Sequence, residues 1–305
     1  MKHAPFDILG NIALVKFQKG VSSKTKKEFA NELLRSQKSI KTVLEKVGKF
    51  AGRLRKQTTK YVAGVNTKEA LYHENGCIFR FNVDSCYFSS RLSNERKEIA
   101  KMVKSGDEVL VMFAGVAPYS IVIAKNTKAK KVYSNEINRE ASKYAELNIG
   151  LNKVKDKVVL LNGDIKRVTK KLIYSSHPTR DFARVINVKN LSLPRNRSPT
   201  QKKAVNARKN FISSSILNIP KKFDVIVMPR PQLKETFLGE AFLLSKKGTR
   251  IFYYDFCKEN EIQKVLGKIK LQAAISKKKI KILKVKKAGE IAPYKYRIRV
   301  DFVVL

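Results

Sequence analysis

Four short stretches carry residue types that can do ligand chemistry, three of them suited to an adenosine ligand, and each follows a run with the composition of a β-strand. In "DEVLVMFAGVAPYS" (107–120) an apolar strand meets the turn Ala114-Gly115-Val116-Ala117-Pro118. Small residues in such a turn let a ligand approach the backbone closely. Glu136 directly follows "KVYSN", where a carboxylate can accept both ribose hydroxyls. Asp164, in "LLNGDI", is placed to accept from an adenine amino group. Each feature alone fits a plain turn, a helix N-cap or a solvated loop equally well. Together, at successive strand ends of an open α/β sheet, they favour an adenosine ligand. The sequence has no G-x-x-x-x-G-K-[ST], which places S-adenosylmethionine ahead of nucleoside triphosphates. The fourth stretch, "VIVMPRPQ" (225–232), brackets Arg230 between Pro229 and Pro231. Proline fixes φ and cannot continue a ladder, so this is either a stiff functional turn or simply a strand end.

The elements that position these points alternate regularly. Residues 7–17 read as a strand turning at Gly10, and 23–40 as an amphipathic helix with Phe29, Leu33 and Leu34 inward. "KTVLEKV" and "KYVAGV" are further short strands, so residues 1–75 form a small α+β module. From residue 76 the texture changes. A strand over 77–83 precedes a helix over 92–106, capped by Ser93 and closed by Gly106. Then come strand "EVLVMF", helix "PYSIVIAKN", strand "KVYSN", helix "NREASKYAELNIGLN" and strand "KVVLLN". After a long break follow "FDVIVM", helix "LKETFLGEAFLLSK", strand "TRIFYYDF" and helix "ENEIQKVLGKI". Apolar strands separated by helices predict a mostly parallel sheet covered on both faces. The runs 279–285 and 296–305 are expected to pair antiparallel at one edge.

The chain has 305 residues and a net charge of +40, with 43% hydrophobic residues. That hydrophobic content excludes wholesale disorder. The charge points to a polyanionic partner, nucleic acid first, against the alternative of a merely lysine-coated surface. No apolar run approaches the roughly 18 residues of a spanning helix, so no membrane role is expected. The start, broken by Pro5, Asp7 and Gly10, does not read as a signal peptide. Cys77, Cys86 and Cys257 lack zinc spacing and suit a reducing, cytoplasmic interior; no metal is expected. The break from Lys170 to Lys222 holds thirteen Lys/Arg and one acid, Asp181. Such a stretch is either a flexible basic loop or an RNA-grasping insertion.

The run "HENGCIFRFNVDSCYFSSRLSNERKEIAKMVKSGDEVLVMFAGVAPYSI" (73–121) resembles the tRNA guanine-37 N1-methyltransferases, also described as the Met-10+ like family. Their pattern there is H-E-N-G, then Y-F-S-P-R-L and T-E-R, then D-M-F-A-G-V-G-P-F-S-I. "FDILGNIALV" and "KTVLEK" resemble that family's second domain, and "VKKAGEIAPYKYRIRVDF" its closing hairpin. The likeness implies an α/β fold: a Rossmann-like class I S-adenosylmethionine-dependent methyltransferase domain (76–305) behind the small α+β domain (1–75). The implied substrate is the anticodon stem-loop of tRNA, bound by a cytoplasmic monomer. Position by position, Arg55 would stabilise charge on O6 of guanine and Glu95 would be the general base. Arg91 and Tyr87 would belong to the active site beside the tRNA, and Arg96 would contact the cofactor. Phe113, Gly115, Pro118, Glu136, Ile137, Asp164 and Ile165 would line the cofactor. Pro229 and Arg230, in the turn that faces the acceptor base in nucleic-acid methyltransferases, would meet the RNA.

The chemistry explains these residue types. Guanine N1 carries a proton and is a poor nucleophile, so a base within hydrogen-bond reach must remove it. Negative charge then moves onto O6, where a guanidinium stabilises it. The methyl transfers in line from the sulfonium, so alignment supplies much of the acceleration. A base in an anticodon loop can be splayed out and held singly.

Departures from the family pattern include Val111 for aspartate, Ala117 for glycine, Ser90 for proline and Pro229 for asparagine. The family's first domain has no counterpart in this sequence, and the basic stretch 170–222 is expected to substitute for it. Glu136 with Pro229 resembles an archaeal subgroup that also methylates C7 of the wyosine precursor 4-demethylwyosine. The alternatives are a non-catalytic RNA-binding protein on a decayed methyltransferase scaffold, which Val111 and Ala117 favour, and a methyltransferase of another RNA or of protein.

Overall fold

The computed structural model describes residues 4–48, 52, 54–174, 219–230 and 232–305. Most of the basic stretch 170–222 lies outside the described residues, which resume at residue 219. The chain forms two compact units, one of residues 1–104, 114–127 and 138–158, the other of 105–113, 128–137 and 159–305.

The first unit begins with a four-stranded sheet. Strands β1 (Phe6–Leu9) and β2 (Ile12–Val15) form a hairpin; β3 (Thr42–Lys46) and β4 (Thr59–Gly64) complete the order β1-β2-β3-β4. The single strand expected over 7–17 is therefore two, because Gly10 turns the chain at φ +60°. A Cβ at Gly10 would lie 1.8 Å from the Leu71 carbonyl oxygen, so only glycine fits. Helix α1 (Ser23–Ser36) is capped by Ser22, whose Oγ accepts from the Thr25 N–H at 3.1 Å. Its Ala30 and Leu33 close the module core with Ala13, Val15, Ile40, Val43 and Ala63, while Phe29 and Leu34 are only partly buried.

Next comes an antiparallel hairpin, β5 (Glu69–Glu74) and β6 (Cys77–Asn82), joined by Asn75-Gly76. Both turn residues have positive φ, +49° and +71°, as a type I′ turn demands. The domain boundary expected at residue 75 would cut this hairpin at its tip, so the small module ends before β5. The outer edge of β6 is covered by side chains of α4 (Arg139–Leu151) and its C-cap rather than by a strand. Asn152 bonds both backbone groups of Ile78, and Asn148 both of Arg80. Helix α2 (Ser93–Met102) starts without a side-chain cap. Ser93 does not cap it; instead its carbonyl and hydroxyl accept from Asn75 Nδ2. Helix α3 (Pro118–Asn126) opens on proline, whose missing N–H costs nothing at that position.

The second unit is a seven-stranded sheet: β7 (Glu108–Val111), β8 (Lys131–Glu136), β9 (Val158–Asn162), β10 (Phe223–Met228), β11 (Ser245–Lys258), β12 (Ile280–Ala292) and β13 (Lys295–Val304). Their spatial order is β12-β13-β11-β10-β7-β8-β9; β11, β10, β7 and β8 run parallel, and β13 runs antiparallel between β11 and β12. The antiparallel edge expected from the two terminal runs is present. Alternate strand residues such as Leu110, Met112, Ile226, Met228, Ile251 and Phe302 form a core with α5 (Ile165–Tyr174), α6 (Leu238–Leu243) and α7 (Ile262–Ile275). Val109, Val111, Val225 and Val227, which point the other way, are equally buried. Burial on both faces is why these strands read as unbroken apolar runs. The mostly parallel order, reversing between β7 and β10, is the Rossmann-like α/β architecture.

The helix expected over 233–246 shrinks to α6. Arg230 Nη2 holds the carbonyls of Leu233 and Glu235, which keeps that stretch out of a helix, and Phe237 is left-handed at φ +57°. No described helix is long and apolar enough to cross a membrane. Gly10→Ala should lower the melting temperature by the equivalent of at least about 1–2 kcal/mol, the left-handed penalty alone. An unchanged thermal unfolding curve would contradict the close approach of Leu71.

Candidate active site

The last rung between β7 and β10 is the Met112 N–H to the Val227 carbonyl, at 2.9 Å. Beyond it the chain leaves in opposite directions, toward β8 and β9 from one strand and toward β11 from the other. Ligands of open α/β sheets bind at the carboxyl ends of strands where the order reverses. Phe113 sits at this point in the left-handed region (φ +57°), its ring edge-on to Phe237 at 5.0 Å. Glu136 ends β8 half-buried, with Ile137 after it. Asn135, fully buried, donates from Nδ2 to the carbonyls of Leu161 (2.7 Å) and Gly163 (3.0 Å). The Gly163 N–H in turn donates to the Glu136 carbonyl at 2.7 Å. This staple locks the ends of β8 and β9 together, and so fixes Glu136 relative to Asp164. Asp164 also caps α5, its Oδ1 accepting from the Lys166 N–H at 2.8 Å. The Ile165 side chain belongs to the core, so any contact it makes with a ligand is through its backbone.

At the end of β10 the Arg230 N–H donates to the Met228 carbonyl at 2.7 Å, closing a three-residue turn around Pro229. Arg230 itself is 4% exposed. Its Nη1 meets Asp255 Oδ1 at 2.6 Å, and Asp255 Oδ2 accepts from the Tyr253 hydroxyl at 3.0 Å. The expected RNA contact by Arg230 is therefore corrected. Its Nη1 and Nη2 are bound in the protein interior, where they shape the loop after Pro229.

In the other unit, the turn Ala114–Pro118 leads into α3 with Gly115 at φ +59° and Ala117 at φ +66°. Ala117 thus adopts a glycine-like conformation at a cost of roughly 1–2 kcal/mol. The space beside Gly115 is bounded by the Tyr87 carbonyl, 3.5 Å from where a Cβ would stand. Asn148 reaches this turn as well, donating to the Val116 carbonyl at 3.2 Å. Tyr87 also carries Arg55, whose guanidinium carbon lies 4.4 Å from the ring centroid. Arg55 is left-handed (φ +50°) and bonds back to the Gly52 carbonyl. Arg55 and Tyr87, distant in sequence, are thus brought together.

Glu95 lies in the first turn of α2 and is 5% exposed. Arg96 beside it is 1% exposed. Its Nε and Nη2 grip both carboxylate oxygens of Glu74, and Nη2 also donates to the Ser89 carbonyl at 3.0 Å. The side chain assigned to cofactor contact thus ties its own unit together. Arg91 is the opposite case: its side chain is 75% exposed and touches Asp7 at 3.1 Å. Burial of Asp7 opposes its ionisation, but Lys46 and Arg91 outweigh this and hold its carboxyl below the usual range. A lowered carboxyl keeps the pair intact at neutral pH; it is lost only as pH falls through that depressed value. The residues not expected from the sequence are Glu74, Asn135, Asn148, Asp255 and Asp7. All act through long-range side-chain bonds that no local pattern announces. Among the described residues no three His, Cys, Asp or Glu come together to hold a metal. Burial pushes the Cys77 thiol up to about 11, which removes it as a thiolate nucleophile.

A profile described as the TRM5/TYW2 methyltransferase domain matches residues 70–177. Over 98% of its length the chain is 33% identical to the tRNA (guanine(37)-N(1))/4-demethylwyosine(37)-methyltransferase Taw22 of Nanoarchaeum equitans, spanning 99% of that protein. The chain belongs to the TRM5/TYW2 methyltransferase family. It is also 39% identical, over 53% of its length, to the tRNA (guanine(37)-N(1))-methyltransferase Trm5b of Pyrococcus abyssi, covering 48% of that protein. The crystal structure of Trm5b superposes with a TM-score of 0.72, 29% identity, 98% of this chain and 74% of that one.

Asp255→Ala should cost about 3–5 kcal/mol in urea unfolding, because it strands a buried guanidinium. A loss below about 1 kcal/mol would show that Arg230 is free to face solvent.

Proposed function

We propose that this chain transfers the methyl group of S-adenosylmethionine to the purine at position 37 of tRNA, acting as a monomer on the anticodon stem-loop. The observation that carries the reading is the burial of Glu95 at the first turn of α2. A carboxylate that removes a purine proton gains from shielding against bulk water, and an acid is seldom buried without a specific role. The cofactor supplies an electrophilic methyl on a sulfonium. Glu136 would accept the ribose hydroxyls and Asp164 the adenine amino group, and the backbone around Gly115 and Ile165 would admit close approach. Phe113, Ile137 and Pro118 would pack against the cofactor, and Arg96 would act by fixing α2. Glu95 takes the proton from the purine. Arg55, oriented by the face of Tyr87, stabilises charge on the O6 side as it develops. Exposed Arg91 meets the RNA backbone, and the net charge of +40 supplies its salt-dependent attraction.

Both N1 methylation of guanine and C7 methylation of 4-demethylwyosine fit, and the second is favoured by Pro229. Asparagine there would bond guanine through its side chain; proline cannot, and it leaves room for a larger flat base. The relative that this chain matches along nearly its whole length carries both activities in its name. The test is labelled S-adenosylmethionine with tRNA bearing either base at 37, products identified by mass spectrometry. Methylated 4-demethylwyosine is expected, and Pro229→Asn should move the product ratio toward 1-methylguanosine. An unchanged ratio would reject the role of Pro229. Absence of any methylated nucleoside alongside retained tRNA affinity would favour the decayed-scaffold alternative.

A further inference from the structure

We infer that Glu74 and Asn75, at the tip of the β5–β6 hairpin, are positioning residues for the proton acceptor Glu95. The inference rests on the transferase reading above and adds two residues to its machinery. Consecutive hairpin residues grip α2 on either side of Glu95. Asn75 Nδ2 holds the Ser93 carbonyl (3.0 Å) and hydroxyl (3.3 Å), two residues before it. Glu74 takes the Arg96 guanidinium in a two-point fork, one residue after it. Both side chains of that pair are 2% exposed, and the Arg96 guanidinium lies 5.2 Å from the Phe88 ring centroid.

The tip cannot swing, because α3 holds it from the far side. Lys125 Nζ donates to the Gly76 carbonyl at 2.6 Å, and Asn126 Nδ2 to the Asn75 carbonyl at 3.2 Å. Successive helix residues project about 100° apart, so fixing Ser93 and Arg96 fixes the direction in which Glu95 points. Stability alone gives a weak account of the pair. A buried ion pair is commonly replaceable by apolar side chains with no loss of stability. What apolar packing cannot replace is the direction imposed by a planar fork on a carboxylate.

The test separates stability from direction with two variants measured beside the wild type. Glu74→Leu combined with Arg96→Met removes both buried charges and should restore a near-native melting temperature. Asn75→Gly keeps the left-handed turn and removes only the side-chain bonds to Ser93. Single-turnover methyl transfer at saturating tRNA should fall about 10–100-fold in the double variant, the cost of a misplacement near 1 Å. Asn75→Gly should fall by about 3–10-fold, the loss of one or two neutral hydrogen bonds. Calorimetric affinity for S-adenosylmethionine should stay within about threefold in both, because a positioning defect acts on chemistry and not on uniform binding. A double variant that recovers its transfer rate together with its melting temperature would overturn the inference and leave the pair as packing. Wild-type protein that transfers no methyl to tRNA would overturn the transferase reading, and this inference with it.

Discussion

The site depends on one topological fact, the reversal of strand order between β7 and β10. Up to the bond between the Met112 N–H and the Val227 carbonyl, two parallel strands satisfy each other's backbone groups. Past that rung neither strand has a neighbour on the crevice side. The four strand ends there carry Phe113, Glu136, Asp164 and Pro229. Side chains at the strand ends need not fill the two-sided core, so carboxylates and a proline are tolerated where the rest of the sheet demands apolar residues. The Asn135 staple and the Arg230–Asp255 pair convert those free ends into fixed ones.

The other unit solves a different problem, holding a buried acid and an arginine in set directions. It uses amides. Asn75 ties the hairpin to α2, Asn148 and Asn152 replace a missing strand along β6, and Asn148 extends to the turn before α3. A side-chain amide donates and accepts in one plane, so each asparagine can stand in for a peptide group. Removing one leaves buried backbone groups unpaired, which makes these bonds exacting.

Much of this was legible from residues alone. The alternation of strands and helices from residue 107 onward survives nearly intact, because apolar periodicity reports burial and burial decides those elements. Glu136 and Asp164 stand out in the sequence because each is a carboxylate that directly follows an apolar run. The hairpin β5–β6 was not found, although Asn75-Gly76 is the strongest short hairpin signal a sequence offers. "EALYHE" looks too polar for a strand, and the Tyr144 hydroxyl that bonds its Glu69 comes from a helix 75 residues away in sequence. Arg230 was misread because an arginine between prolines looks exposed, and nothing local reveals Asp255 beneath it. The shortened α6 follows from the same pair, since backbone carbonyls given to a guanidinium cannot serve a helix.

Everything proposed for this chain requires that the strand ends of β7, β8 and β9 hold the methyl donor. Calorimetric titration of the purified chain with S-adenosylhomocysteine addresses this directly. Wild-type protein should bind, and Glu136→Ala should weaken binding about 10–100-fold, the worth of hydrogen bonds to a charged group. Glu146→Ala, on the exposed side of α4, should bind as wild type does. Binding that is undetectable in the wild type, or indifferent to Glu136, would contradict the placement of the cofactor.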